Sequence, residues 1–369
     1  MKKMLSLAAL LAVVAYATPA SAELKFGGDA GIRMRTQFGD INRDTKEDDV
    51  TYQYRIRLKA AADLGSGYFF KTMLMNEEGN IAGGWQSVGY GNHEAITVDI
   101  SNFYFGRMMQ DSHYMMGRIP LNSFNNPILD LSLYPMQALD TPVFNINFDR
   151  GYGANYGTKI GDGDLNATIL VLDNEAGRAS TLHTDTDGLF NDGYGVHLSY
   201  KTTIGDVTIE PQIVTVLTET DIWNQDDVAY NFTSETDREF RLASKVTPWT
   251  LGATASMPVG DELKLTGSAF YTFCDDADAD YHATLLRLKG EYGPFMAWVD
   301  YNPAEDKKAG TEYSNTFVWA QYKYNVYESA AGSFTLQPTL RWLTTAEDGN
   351  DAEKDTSTLR AELWATVSF

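Results

Sequence analysis

The stretch TYQYRIRLKAAADL, residues 51–64, alternates apolar and polar side chains along most of its length. Its even positions are aromatic or aliphatic, whereas Arg55, Arg57 and Lys59 stand at odd positions. A period of two indicates a β-strand with one apolar and one polar face. Ordinary strands have about five or six residues, whereas about ten tilted residues cross a bilayer. The stretch therefore predicts a strand that crosses a membrane.

The same alternation recurs along the chain and predicts sixteen strands. They are expected at 23–38, 51–64, 67–76, 95–108, 112–119, 150–160, 164–173, 192–204, 207–217, 246–258, 262–273, 280–290, 293–302, 312–326, 332–344 and 356–369. An even number of membrane-crossing strands places both chain ends on the same side of the membrane. The segment ISNFYFGRMM, residues 100–109, changes its apolar parity partway, which predicts a β-bulge.

The connections between these segments alternate in length. LGSG at 64–67, GDGD at 161–164 and VGDE at 259–262 are typical of tight hairpins. The intervening connections, such as 39–49, 77–94 and 218–245, are long and polar. Short turns on one side and long loops on the other predict an all-β fold. We expect a transmembrane antiparallel β-barrel of 16 strands with short periplasmic turns and long extracellular loops.

The cost of placing charge in lipid decides which face points outward. A cation at the membrane midplane on the lipid face costs roughly 2–4 kcal/mol. A one-residue slip of the 51–64 strand would expose Arg55, Arg57 and Lys59 to lipid at once. The apolar face is therefore expected to face lipid and the charged face to line a wet lumen.

The first 22 residues have the pattern of a secretory signal peptide. Lys2 and Lys3 precede a short apolar run that ends at Ala20-Ser21-Ala22, so the mature chain is expected to begin at Glu23. Cys274 is the only cysteine, which excludes a disulfide framework. The net charge of −21 argues against nucleic acid as a partner.

The chain ends in STLRAELWATVSF, residues 357–369, an alternating strand that finishes on Phe369. Such an ending resembles the C-terminal signal by which bacterial outer-membrane proteins are recognised for insertion. With the signal peptide and the sixteen strands, residues 23–369 resemble the bacterial porins. The resemblance implies passive diffusion of small hydrophilic solutes and ions, and a homotrimer. It also implies contact with outer-membrane lipid, lipopolysaccharide and the barrel-insertion machinery.

The connection 120–149 is the longest and the least hydrophilic. The resemblance implies that it folds into the lumen as a constriction loop, with Asp130, Asp140 and Asp149 lining the narrow zone. The alternative is a surface loop packed by its own apolar residues.

Basic residues are expected on the lumen wall opposite this loop. The strand parity turns six of them inward on three adjacent strands: Arg33, Arg35, Arg55, Arg57, Lys59 and Lys71. A cluster of this kind selects ions by the sign of their charge. Arg118, in MMGRIPLN, resembles the arginine that porins carry at the entrance to the constriction loop.

Three other features of the sequence give weaker indications of function. Trp298, Phe317 and Trp319 fall on the inward face and either pack under the loop or form a track for a specific solute. Acidic clusters at 184–188, 275–280 and 347–351 lack EF-hand spacing and are weak candidates for Ca²⁺, so no cofactor is expected. The five histidines are scattered without metal-ligand spacing, and no enzyme activity is expected.

Three alternatives to a general pore stay open. The surplus of inward cations fits a substrate-specific channel that prefers anions. A barrel could also form a structural sheath around an electron-transfer or adhesin partner. A barrel hydrolase would need a Ser/His pair on the outer wall, which the sequence does not place.

Overall fold

The computed structural model of the chain describes residues 23–41, 45–46, 50–76, 85–88, 96–121, 125–128, 150–171, 194–217, 247–275, 280–308, 310–349 and 354–369. Within these ranges, no helix has the length and hydrophobicity needed to cross a membrane. The signal-peptide prediction for residues 1–22 lies outside them.

The described residues form one antiparallel sheet of nineteen strands. The strands are β1 (Glu23–Ile41), β2 (Thr45–Lys46), β3 (Val50–Gly65), β4 (Tyr68–Met75), β5 (Gln86–Ser87), β6 (Asp99–Met108), β7 (Ser112–Pro120), β8 (Arg150–Ile160), β9 (Gly163–Val171), β10 (Tyr194–Ile204), β11 (Val207–Val216), β12 (Trp249–Val259), β13 (Leu263–Asp275), β14 (Asp280–Tyr292), β15 (Phe295–Asp306), β16 (Thr311–Tyr322), β17 (Tyr324–Ser329), β18 (Gly332–Asp348) and β19 (Lys354–Ser368).

These elements build sixteen barrel strands, as predicted. β16 and β17 follow each other and both pair with β18, so they act as one barrel strand. β2 and β5 are two-residue pairings on β1 and β3. The remaining strands each pair with their neighbours in chain order, because short turns connect adjacent antiparallel strands. In two of these turns, Gly161 and Gly205 adopt φ of 60° and 61°, which a side chain would disfavour.

The last strand closes the barrel against the first. β1 pairs with β19 from Asp29 opposite Ser368 to Asp40 opposite Ser357. At the end of this seam the backbone N–H of Gly28 donates to Phe369 O at 2.9 Å, and Phe369 N–H donates to Gly28 O at 3.1 Å. Closure removes the free edges that would otherwise leave backbone groups unpaired in lipid.

The predicted bulge lies in β6. Met73 on β4 stands opposite Asn102, and Leu74 stands opposite Ile100, so Ser101 is the extra residue between them. This one-residue shift explains the parity change in the sequence, because it allows Ile100 and Phe103 to face outward together.

The outer face of the barrel is apolar. Ile32, Leu58 and Leu288 are 59%, 43% and 57% exposed. Apart from Gly31, their strand neighbours on the other face are charged. Tyrosines and tryptophans join them, among them Tyr52, Tyr292 and Trp342. This distribution matches the lipid-facing band and aromatic girdles of a transmembrane barrel.

The inside contains an apolar core as well as charge. A cluster of buried residues lines the inner side of β7 to β16, together with Ile128 from the connection after β7. Its members are Ile119, Ile128, Leu170, Val214, Phe270, Ala283, Leu285, Trp298, Ala304, Phe317 and Trp319. Part of the lumen is therefore packed rather than open.

Candidate pore wall and its aromatic lining

The strand register turns the predicted arginines inward and brings them together. Arg33 stands opposite Gln53 on β3 and opposite Trp364 on β19. Arg35 stands opposite Glu362, and Arg57 stands opposite Asp29. Because directly opposed residues share a face, these side chains form one continuous lumen surface across β18, β19, β1, β3 and β4.

Glu362 is the centre of the first charge cluster. Its carboxylate lies 2.5 Å from Arg35 Nε, 2.8 Å from Arg341 Nη2 and 3.6 Å from Arg33 Nη1, and its side chain has no exposed area. The indole Nε1–H of Trp364 also donates to Glu362 at 2.8 Å. One buried carboxylate thus faces three guanidiniums, and the four side chains together carry a formal charge of +2.

Asp29 forms a second cluster of the same kind. Arg57 Nε donates to both of its oxygens at 2.9 Å, and Arg55 Nη2 donates to Oδ1 at 3.4 Å. Lys59 and Lys71 continue the row along β3 and β4 on the same face. Arg360 lies beyond the Glu362 cluster and donates to Gln37 at 2.6 Å.

We call these ten inward side chains the basic wall. They are Asp29, Arg33, Arg35, Arg55, Arg57, Lys59, Lys71, Arg341, Arg360 and Glu362. Eight bases face two carboxylates, which leaves an excess of six positive charges. A lumen surface of one sign raises the local concentration of oppositely charged solutes.

A row of four indoles runs along the inside of the barrel and meets this wall. Trp298 stacks on Trp319 with ring centroids 4.7 Å apart and planes 11° apart. Trp319 meets Trp364 edge to face at 6.2 Å, and Trp364 lies 5.3 Å from Trp85. The sequence patterns placed Trp298 and Trp319 on the inward face, but they did not single out Trp364 or Trp85.

Guanidiniums lie over the rings of this row. Arg341 lies 4.1 Å from the Trp319 centroid, and Arg287 lies 5.3 Å from that of Trp298. Arg287 also makes a bidentate pair with Asp300 at 2.6 and 2.8 Å. Cation–π contacts of this kind stabilise a buried guanidinium where carboxylates are too few to pair each one.

Trp85 reaches the row from the connection between β4 and β6. Asn76 links the two ends of this connection to β3. Its side chain accepts from Ile56 N–H at 2.5 Å and donates to Gln86 at 3.2 Å. Gln86 and Ser87 then resume pairing with β3. That register turns Trp85 into the lumen, where it is 4% exposed. The sequence offered one indication of this contact, which is the single tryptophan within the otherwise polar stretch GGWQS.

The beginning of the connection after β7 lies inside the barrel. Asn126 and Gln212 on β11 exchange two amide hydrogen bonds, of 2.7 and 3.1 Å. Ile128 is fully buried in the apolar cluster with Phe317 and Trp319. Phe317 and Trp319 therefore belong to the same buried cluster as the inserted segment. Asp130, Asp140 and Asp149 lie outside the described residues.

Arg118 differs from its predicted position. It stands opposite Phe103 and Tyr152, which are 39% and 53% exposed, so it faces outward rather than into the pore. Its Nη1 donates to the Ser101 carbonyl at 2.8 Å, and its guanidinium lies 5.5 Å from the Tyr152 centroid. These two contacts accommodate a cation on an otherwise apolar face.

Across the described ranges, no group of three or more His, Cys, Asp and Glu side chains could hold a metal ion. Of the acidic clusters considered for Ca²⁺, 184–188 lies wholly outside those ranges, and 275–280 and 347–351 lie partly outside them.

Comparison with known proteins gives no matching family model and no matching curated protein. Solved structures do match over nearly the whole chain. An anion-selective porin from Comamonas acidovorans has a TM-score of 0.56 at 13% identity, with 95% of this chain and 100% of that one covered. The outer membrane channel DcaP of Acinetobacter baumannii has a TM-score of 0.56 at 13% identity, with 95% of this chain and 99% of that one covered. The trimer form of OmpT, an outer membrane protein of Vibrio cholerae, has a TM-score of 0.54 at 12% identity. The match covers 94% of this chain and 99% of that one. At these identities the likeness establishes the fold: the chain is a closed β-barrel of the sixteen-stranded porin type.

Proposed function

We propose that the protein is a bacterial outer-membrane porin through which small hydrophilic solutes and ions diffuse passively. The observation that carries this proposal is the basic wall, a charged surface on the inside of a closed barrel whose outside is apolar. A charged interior and a lipid-facing exterior are what an aqueous channel through a membrane requires. A soluble ligand-binding barrel would have the opposite arrangement.

The same proposal covers export, insertion and assembly. Residues 1–22 act as a signal peptide, and Phe369 completes the signal for the insertion machinery. The barrel sits in outer-membrane lipid with its long loops toward lipopolysaccharide. It assembles as a homotrimer, in keeping with the trimer form of the structurally similar Vibrio cholerae protein.

We assign the constriction to the connection 120–149. Its support is the position of residues 125–128, which lie in the lumen against β11 and β14. A connection that enters the barrel at this point narrows the pore from within. Asp130, Asp140 and Asp149 would then face the basic wall and set a transverse field across the opening.

A preference for anions is the second candidate function. The excess of six positive charges on the basic wall favours it, because this charge lies in the pore itself. The net charge of −21 belongs to the whole chain and includes the long acidic connections. Charges on exposed loops are screened over about 8 Å at physiological ionic strength and weigh less on permeation.

Conductance across a planar bilayer tests both candidates. Refolded residues 23–369 are inserted into the bilayer under a tenfold KCl gradient, and the reversal potential is measured. We expect stepwise currents in groups of three and a potential of the sign that Cl⁻ permeation gives. A potential of the opposite sign would exclude the anion preference. Absence of current from a correctly folded barrel would exclude diffusion and favour the sheath alternative.

A further inference from the structure

Trp85 occupies a slot in which two guanidiniums lie against its ring. Arg33 lies 4.7 Å from the centroid of its ring, and Arg55 also lies 4.7 Å from it. Trp364 lies beside it at 5.3 Å. A side chain at residue 31 would meet Trp85 Cη2 at 3.2 Å, so Gly31 leaves the space that the ring fills. The slot thus holds a flat π-system in contact with two cations.

The groups around the slot have unused capacity for an anion. Among the described residues, Nε1 of Trp85 and Nε of Arg55 are buried without a hydrogen-bond partner. Arg55 reaches Asp29 only at 3.4 Å. Arg33 donates through Nε and Nη2 to the neutral Gln53 Oε1, and its Nη1 reaches Glu362 only at 3.6 Å. Arg287, by comparison, binds Asp300 through two bonds of 2.6 and 2.8 Å. Arg33 and Arg55 therefore lack the close bidentate carboxylate that guanidiniums prefer.

Trp85 is held by fewer strand pairings than the two arginines that it contacts. Arg33 and Arg55 belong to β1 and β3, which pair with each other from Glu23 opposite Asp63 to Thr36 opposite Val50. Trp85 precedes a pairing of only two residues, Gln86 and Ser87. A neutral indole against two guanidiniums also adds no counter-charge to them. A planar anion could make the same ring contacts and neutralise one of the charges.

We infer that Arg33, Arg55 and Trp364 form a binding slot for a planar aromatic carboxylate, and that Trp85 is its internal competitor. The solute's ring replaces the indole against the guanidiniums, and its carboxylate accepts hydrogen bonds from Arg33 and Arg55. The inference names a solute class for the proposed pore and rests on that function. The slot would make permeation of such solutes saturable.

Equilibrium dialysis of radiolabelled benzoate against the refolded barrel in detergent micelles tests the slot without requiring conductance. Removing the competitor in Trp85→Ala should strengthen benzoate binding about tenfold relative to the unmodified chain. Cyclohexanecarboxylate, which has the same charge but no aromatic ring, should gain much less. Adding Arg33→Gln to Trp85→Ala should abolish the gain. Trp249→Ala, on the outer face, is the matched control and should bind as the unmodified chain does.

The result that overturns the slot is equal benzoate binding by the Trp85→Ala and unmodified barrels, or equal gains for the two carboxylates. If Trp85→Ala fails to fold, Trp85→Leu serves, because an aliphatic side chain loses the cation–π contacts and should still raise benzoate affinity severalfold. Bilayer conductance of the same preparations separates the two proposals. Binding without conductance would refute diffusion but keep the slot, and conductance without selective binding would refute the slot alone.

Discussion

Replacing Glu362 by glutamine should destabilise the barrel more than any exposed charge change. The carboxylate has no exposed area and lies within 3.6 Å of three guanidiniums. Glutamine keeps the shape and one acceptor oxygen but leaves Arg33, Arg35 and Arg341 without their shared counter-charge. Removing one partner of a buried ion pair costs about 3–5 kcal/mol, and we expect a loss of this size in the free energy of unfolding.

The measurement is urea-induced unfolding of the barrel from lipid vesicles, followed by tryptophan fluorescence. Glu328→Gln is the matched control, because it removes the same charge from an exposed side chain on β17. The Glu328 carboxylate accepts a hydrogen bond from Asn325 Nδ2 at 3.2 Å. We expect the control to change the unfolding free energy by no more than about 0.5 kcal/mol.

A second variant isolates the cause. If excess positive charge produces the loss, adding Arg35→Gln to Glu362→Gln should recover part of the stability, so that the double variant is more stable than the sum of the single changes predicts. A loss below about 1 kcal/mol for Glu362→Gln, the size of an exposed ion pair, would refute the reasoning. Strict additivity in the double variant would refute the charge explanation specifically.

Three further outcomes follow from the described contacts. Replacing Arg57 and Lys59 with glutamine removes two charges from the basic wall, so the reversal potential under a KCl gradient should move toward that of K⁺, whereas Arg118→Gln on the outer face should leave it unchanged. Deleting Phe369 removes the last hydrogen bonds of the barrel seam and should lower the yield of folded barrel, as measured by heat-dependent gel mobility. Ile128→Ala opens a cavity in the apolar cluster and should cost about 2–5 kcal/mol in vesicle unfolding.

Alternation was sufficient to predict the faces of the strands. A period of two leaves only two orientations for a strand, and the cost of charge in lipid rejects one of them. This is why Arg33, Arg55 and Lys71 could be placed inward from the sequence, and why the parity change at Ser101 indicated a bulge. Each of these inferences uses residues close together in the chain.

Contacts between distant residues could not be predicted in the same way. The pairing of Arg35 with Glu362 spans 327 positions and depends on the register at which the barrel closes. Arg118 shows the limit most clearly. The resemblance to porins suggested an inward arginine, but the pairing with β6 and β8 places Arg118 opposite the exposed Phe103 and Tyr152. Parity within MMGRIPLN alone carries no information about those neighbours.

The indole row explains how the basic wall can hold more cations than carboxylates. Three guanidiniums around Glu362 repel one another, and a buried site offers little water to screen them. Arg33 and Arg341 each lie against Trp364, at 5.5 and 5.7 Å, and each also lies over a second ring. The negative faces of the rings partly replace the missing carboxylates without adding charge. Paired carboxylates would have stabilised the arginines as well, but they would have cancelled the field. Aromatic packing keeps both the stability of the wall and its excess of six positive charges over carboxylates.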